Sequence, residues 1–61
     1  MAHFRVFYFT RLGRIQSADI LDLETDQAAI EAANRLFAAR TDYLAGYELW
    51  EGTRLVHRKS N

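Results

Sequence analysis

The chain has 61 residues with 8 basic and 8 acidic side chains, so its formal net charge is zero. This length predicts one domain, residues 1–61, whose small core leaves a thin margin of stability. The lack of cysteine excludes disulfides, thiolate metal sites and cysteine nucleophiles. Neutral charge gives no general attraction to nucleic acid or anionic lipid. Oligomerisation is therefore the predicted way to bury more apolar surface.

The chain lacks the sequence features of a membrane or secreted protein. No apolar run approaches the ~18 residues that a membrane span requires. The opening MAHFRVFYFT lacks the small-residue cleavage site of a signal peptide. We therefore expect a cytoplasmic protein with no membrane partner.

The first two predicted elements form a hairpin. Residues 3–10, HFRVFYFT, are aromatic or β-branched at nearly every position, which is typical of a strand. The RLG at 11–13 predicts a three-residue loop with Gly13 in the left-handed conformation. The partner strand then covers about 14–23.

The loop length decides which residues of this hairpin are paired. A three-residue loop sets Arg5 opposite Asp19, whereas a two-residue loop sets Arg5 opposite Ile20 and Val6 opposite Asp19. Opposite charges stabilise a strand pair, and a charge facing an aliphatic side chain does not. The three-residue register is therefore the predicted one.

The apolar spacing becomes helical from Thr25 and predicts a helix at about 26–40. Thr25 or Asp26 can cap its first turn, where acidic groups also complement the helix dipole. The alanine-rich composition indicates close packing against a sheet. One apolar stripe follows the helix and is formed by Ala29, Ile30, Ala33, Leu36 and Phe37.

Two further strands, at about 44–50 and 53–58, complete the chain around a glycine turn. The element order is therefore β-β-α-β-β. It predicts an α+β domain with a four-stranded, mainly antiparallel sheet and one helix packed on one face. We expect the first strand to lie in the middle of that sheet.

Two registers are possible for the second hairpin. A three-residue loop at 50–52 pairs Glu48 with Arg54 and keeps charged and apolar residues on separate faces. A two-residue loop at 51–52 pairs Leu49 with Arg54 and mixes them. We therefore predict the three-residue loop.

The sheet face without the helix is the candidate interface. Its aromatic surface is larger than a chain of this size is expected to leave in water. Phe, Trp and Arg together are typical of the core of a protein interface. Coverage of Phe7 and Phe9 by loops or termini is the alternative. The predicted interface residues are Arg5, Phe7, Phe9, Glu48, Trp50, Arg54 and Val56.

The end of the chain carries a recognisable pattern, Glu-x-Trp-x-Gly-x-Arg-Leu-Val. It resembles the C-terminal signature of a group of short bacterial proteins of unknown function. In those proteins a Tyr-Arg-Ile-Tyr-like strand, a glycine turn and an alanine-rich helix with an acidic start precede the signature. The resemblance covers nearly the whole chain and implies a bacterial protein of the same fold, with no activity attached. Its residues here are Glu48, Trp50, Gly52, Arg54, Leu55 and Val56.

Motifs for catalysis or metal binding are weak. DLETD at 22–26 alternates carboxylates as a calcium loop does, but Gln27 and Ala33 replace the glycine and glutamate that such a loop needs. His3 and His57 could meet only if the outer strands are neighbours, and two histidines do not complete a zinc site. There is no suggestive Ser, His and acid arrangement and no glycine-rich phosphate loop. We therefore predict no enzymatic activity and no cofactor.

The remaining functions are kinds of binding. FRVFYF places aromatics and Arg5 on a sheet, as strands that stack RNA bases do. The glycines of the usual RNA-binding strand are missing, however, and the net charge is zero. The sequence therefore predicts a small protein-interaction module that self-associates as a dimer through the open sheet face, and an unidentified protein is a further possible partner. Single-stranded nucleic-acid binding is the alternative.

Overall fold

The computed structural model describes residues 2–60 and confirms the α+β fold class in β-β-α-β-β order. Its four strands form one antiparallel sheet of order β2-β1-β3-β4, so the first strand is an inner strand as predicted. The one helix within residues 2–60 is 13 residues long and cannot cross a membrane. The elements are β1 (Ala2–Phe9), β2 (Ile15–Leu23), α1 (Asp26–Ala38), β3 (Gly46–Glu51) and β4 (Arg54–Ser60).

The helix begins and ends at identifiable hydrogen bonds. Thr25 is the N-cap: its backbone is extended, and its Oγ1 accepts a hydrogen bond from Ala28 N at 3.1 Å. At the other end, Arg40 N donates to Phe37 O at 2.8 Å. This tighter i→i−3 bond ends α1 at Ala38, two residues before the predicted end.

The hydrophobic core lies between α1 and the facing side of the sheet. Ala29 and Ala33 are fully buried, and their small side chains let the helix approach the strands closely. Phe37 then packs edge-on against Tyr47, with ring centroids 5.6 Å apart. The buried hydrophobic residues are Phe4, Val6, Tyr8, Ala29, Ala33, Phe37, Leu44, Tyr47 and Leu49.

The loop of the first hairpin is the predicted one. Thr10 N donates to Arg14 O at 2.8 Å, which leaves three residues in the loop. Gly13 has a φ of +80°, the left-handed conformation that glycine adopts without steric cost.

The predicted register of this hairpin is nevertheless wrong. Gln16 is an extra residue in β2, and this β-bulge shifts every pair beyond it by one position. Arg5 therefore lies opposite Ile20, and Val6 lies opposite Asp19. The predicted pair of Arg5 with Asp19 does not form.

The bulge turns Asp19 toward the helix side of the sheet, where it has two partners. Tyr8 OH donates to Asp19 Oδ2 at 2.8 Å, and Arg40 Nη1 donates to the same oxygen at 3.3 Å. The Arg40 guanidinium also lies over the Tyr8 ring, 4.8 Å from its centroid. These contacts stabilise the Asp19 carboxylate on the helix side of the sheet. Arg5 lies on the other side and does not contribute.

The turn of the second hairpin differs from both registers considered. Glu51 lies opposite Arg54, so the loop consists of Gly52 and Thr53 alone. Gly52 has a φ of +60°, and Thr53 does not have a positive φ. A positive φ at the first central residue alone excludes a type I′ turn and fits a type II′ turn, which has glycine at that position.

A second bulge changes the pairing farther along this hairpin. Val56 is the extra residue in β4, so Leu49 pairs with His57 and Glu48 pairs with Arg58. The predicted pair of Glu48 with Arg54 is therefore wrong as well.

Gly46 lies where β3 and β4 approach closely, and this predicts a cost for any side chain there. A Cβ at this position would collide with the carbonyl oxygen of Lys59 and lie 3.0 Å from Ser60 Cα. Because these are backbone atoms, Gly46→Ala is expected to lower the free energy of unfolding by about 1–3 kcal/mol. Urea denaturation followed by tryptophan fluorescence measures this loss, and an unchanged midpoint would show that β4 moves aside without cost.

Candidate functional site

The candidate site is the sheet surface opposite α1, which we call the open face. Side chains alternate along β1, so the residues between its buried positions point away from the helix. Those directly paired with them across the sheet lie on the same side. The open face comprises Ile15, Ala18 and Ile20 of β2, Arg5, Phe7 and Phe9 of β1, Glu48 and Trp50 of β3, and Leu55 and Arg58 of β4.

The open face contains most of the predicted interface residues. Arg5, Phe7, Phe9, Glu48 and Trp50 lie on it together, on the two inner strands. Their role in an interface remains a prediction, but their common location follows from the β1–β3 pairing.

Arg54 and Val56 do not lie on the open face. The Arg54 guanidinium donates to both carboxylate oxygens of Asp26, at 3.0 and 2.9 Å, and also to Glu51. These bonds connect the second hairpin to the start of α1 and lower the pKa of the Asp26 carboxyl below its ordinary value. Val56 is the bulge residue and packs against the core.

Three large apolar residues of the open face were not predicted. Ile20 is 68% exposed, Leu55 is 45% exposed, and Ile15 is also exposed. The sequence does contain a signal for Ile20, because Leu21 and Leu23 alternate with Asp22 and pack against the core. For Leu55 and Ile15 the strand pattern contains no comparable signal.

A short chain of polar contacts orients Trp50. Its indole Nε1 donates to Glu48 Oε1 at 3.0 Å, two residues earlier on the same face of β3. The other Glu48 oxygen lies 3.6 Å from Arg58 Nε on the neighbouring strand. The indole ring is thus held in position, and the Glu48 charge is balanced within the face.

Arg5 is the unpaired charge of the open face. It lies between Ile20 and Trp50 on the two neighbouring strands. Within residues 2–60 its side chain makes no ion pair or hydrogen bond. The side chain is exposed, so it is hydrated in the single chain and accessible to a partner.

Two shallow clefts indent the open face. One, of about 360 Å³, is lined by Arg5, Phe7 and Trp50 together with His3 and Gly52. The other, of about 220 Å³, lies toward the opposite end of β1, where Phe9 borders Gly46. The open face therefore has hollows at both ends of its inner strands.

The two histidines cannot form a shared site. His3 lines the larger cleft and bonds to Asp22 across β1 and β2. His57 lies opposite the buried Leu49 on the helix side, where its ring is 6.0 Å from the Tyr47 ring. Across residues 2–60 no three metal-binding side chains converge. The arrangement of the site suits binding through apolar and aromatic contacts.

Comparison of the chain with protein-family models, curated proteins and solved structures gives no match. The resemblance to short bacterial proteins of unknown function therefore remains a prediction. The function has to be argued from the open face itself.

Proposed function

We propose that the protein is a small interaction module that forms a homodimer through its open face. The observation that carries this proposal is the presence of large apolar side chains on all four strands of the open face. In strand order these are Ile20, Phe7, Trp50 and Leu55; Ile20 is 68% exposed, and Phe7 and Trp50 are half-buried. Apolar side chains grouped in this way on the surface of a small chain are typical of an interaction site.

The size of the open face is sufficient for a small interface. The two larger dimensions of the molecule, 32 and 21 Å, limit the face to less than about 700 Å² per copy. Stable interfaces bury about 600–1,000 Å² per partner, so the whole face corresponds to the lower end of that range. A chain of 61 residues also has little core of its own, so burial of a second face adds substantially to its stability.

The charge of the face favours a second copy over a polyanion. Glu48 is balanced by Arg58 and by the Trp50 indole, which leaves Arg5 as the one cation without a partner among the described residues of the face. Single-stranded nucleic acid is bound through several basic side chains along a groove. An apolar face with one free cation is better matched by another apolar, aromatic face.

The mass of the protein in solution tests the proposal. We expect sedimentation and light scattering to give the dimer mass at high micromolar concentration, and Ile20→Lys to give a folded monomer. A cation at this exposed edge position leaves the single chain folded. It adds a second positive charge directly opposite Arg5, and two cations without a counter-ion oppose burial of the face. Leu12→Lys is the matched control, because Leu12 is 84% exposed in the first loop and lies outside the open face; this variant should remain dimeric.

A wild-type monomer at high micromolar concentration would contradict self-association. In that case, titration with short single-stranded DNA at low salt tests the other candidate. Salt-sensitive binding that is lost in Arg5→Ala would assign the open face to nucleic acid instead.

A further inference from the structure

A homodimer that uses the same face on both copies must be related by a two-fold axis. For two sheets packed face to face, that axis lies between the sheets. It runs close to parallel with the strands or close to perpendicular to them, within the roughly 30° by which packed sheets are rotated. The order and pairing of the strands decide which side chains meet in each case.

A perpendicular axis places like charges together. In this arrangement each strand lies over the same strand of the partner, so β3 lies over the partner's β3. With the axis at the centre of the face, Glu48 faces the partner's Glu48, and Arg58 faces the partner's Arg58. Like charges brought together away from water cost free energy, so this arrangement is disfavoured.

A parallel axis exchanges the strands about the centre line of the sheet. With the order β2-β1-β3-β4, that line runs between β1 and β3. Arg5 and Trp50 are opposite each other across this line, so Arg5 comes to lie over the partner's Trp50. Phe9 and Gly46 are also opposite each other, so Phe9 comes to lie over the partner's Gly46.

The parallel arrangement also brings the two Arg5 side chains near the axis, about one strand spacing apart sideways, but it places no like charges directly over each other and gives each Arg5 a partner. Arg5 has no partner within residues 2–60, and an arginine over an indole face gains a favourable cation–π contact when both are desolvated. The bond from Trp50 to Glu48 already holds the indole in place. The partner's Phe9 comes to lie over the cleft that Phe9 and Gly46 border.

From these contacts we infer that the two copies pack with their two-fold axis parallel to the strands, with Arg5 of each copy on the partner's Trp50. This inference rests on the proposed self-association. It assigns Arg5 and Trp50 as the residues that determine how the copies are oriented, and it places β2 of each copy over the partner's β4.

Cysteine cross-linking tests the arrangement, since the natural chain has no cysteine. Ile20 and Leu55 lie at the level of Arg5 and Trp50, so Ile20 should lie over the partner's Leu55. The Ile20→Cys and Leu55→Cys variants are purified separately, and their masses are measured first. A bis-maleimide reagent with a span near the roughly 10 Å between packed sheets is then added.

We expect cross-linked dimer from a mixture of the two variants and little from either variant alone. Two copies of residue 20 would be about 14 Å apart sideways, the width of three strand spacings, in addition to the gap between the sheets. Leu12→Cys serves as the control for random collision. A dimer in which Ile20→Cys cross-links to itself, and not to Leu55→Cys, would overturn the arrangement and leave self-association intact.

A double-mutant cycle gives an independent measurement if a cysteine variant fails to dimerise. The dimer dissociation constant is measured for the wild type, Ile20→Ala, Leu55→Ala and the double variant. Within one chain Ile20 and Leu55 lie on the two outer strands, about 14 Å apart, so only the contact between copies can couple them. We expect a coupling of about threefold or more. Strictly additive effects would overturn the arrangement, whereas a wild-type monomer would overturn the proposed function itself.

Discussion

Replacing Phe37 with alanine is expected to leave the chain largely unfolded. The ring is 1% exposed and is the large side chain that α1 inserts into the core, where the other fully buried helix residues are Ala29 and Ala33. Removal of a buried phenylalanine costs about 3–5 kcal/mol. A domain of this length has a total stability of only about 3–9 kcal/mol. The edge-on contact with Tyr47 is also lost, and the two alanines cannot fill the cavity.

Far-UV circular dichroism and urea denaturation measure this effect. Phe37→Leu is the matched control, because it keeps an apolar side chain of similar length and should remain folded with a lower midpoint. Phe37→Ala should therefore be largely unfolded, whereas Phe37→Leu should be folded with a lower free energy of unfolding. A native spectrum and an unchanged midpoint for Phe37→Ala would show that the helix contributes little to the stability of the sheet.

The inner strands of the sheet could be predicted from the sequence because the side facing the helix is unambiguous there. The alternation of Phe4, Val6 and Tyr8 in β1 points one set of side chains at the helix and leaves Arg5 and Phe7 on the other side. The same reasoning placed Glu48 and Trp50 correctly on the open face.

For the outer strands, the face of the sheet on which each side chain lies could not be predicted. A β-bulge at Gln16 and another at Val56 each add one residue to an edge strand. A shift of one residue moves all later side chains to the opposite face. The first bulge is why Ile20 lies on the open face. In the second hairpin, the two-residue turn at Gly52 and Thr53 places Leu55 on the open face and Arg54 on the helix side, and the bulge acts only on the residues after Val56.

Neither bulge has a composition that marks it in the sequence. The first bulge and the turn at Gly52 and Thr53 become apparent only through long-range contacts, such as the bonds that Tyr8 and Arg40 make to Asp19 and the bonds of Arg54 to Asp26. These partners are between 11 and 28 residues apart in the chain. Charge matching in the first hairpin and the separation of charged from apolar faces in the second both consider only the hairpin itself, so both selected the wrong pairs.

Raising the pH above about 10, the ordinary pKa of tyrosine, is expected to destabilise the folded chain through Tyr8. Burial of the Tyr8 phenol and its hydrogen bond to Asp19 raise its pKa well above the ordinary value. A phenolate there would be desolvated and beside a carboxylate. Arg40 opposes this effect, but its contribution is smaller than those of burial and of Asp19.

The sign of the pH dependence follows from proton binding. Above pH ~10 the unfolded chain releases the Tyr8 proton, while the folded chain retains it until its higher pKa is reached. The stability from this group is therefore complete below the unfolded pKa and is lost as the pH rises through the folded pKa. The loss reaches at most about 1.4 kcal/mol per pH unit. Burial also raises the pKa of Tyr47, which adds to the same trend.

Tyr8→Phe removes both effects of this hydroxyl group on stability: its hydrogen bond to Asp19 and its titration at alkaline pH. Near neutral pH the variant should be less stable by about 1 kcal/mol, because it lacks the bond to Asp19. Arg40 still binds that carboxylate, so no buried acceptor is left without a partner. At alkaline pH the variant loses less stability than the wild type, and the two should become equal about one unit above pH 10. Urea denaturation at a series of pH values measures the pH at which the two stabilities become equal.

Tyr43→Phe is the control, because Tyr43 is 55% exposed; its curve should follow the wild type. A Tyr8→Phe curve that stays parallel to the wild type would mean that the Tyr8 proton is not retained on folding.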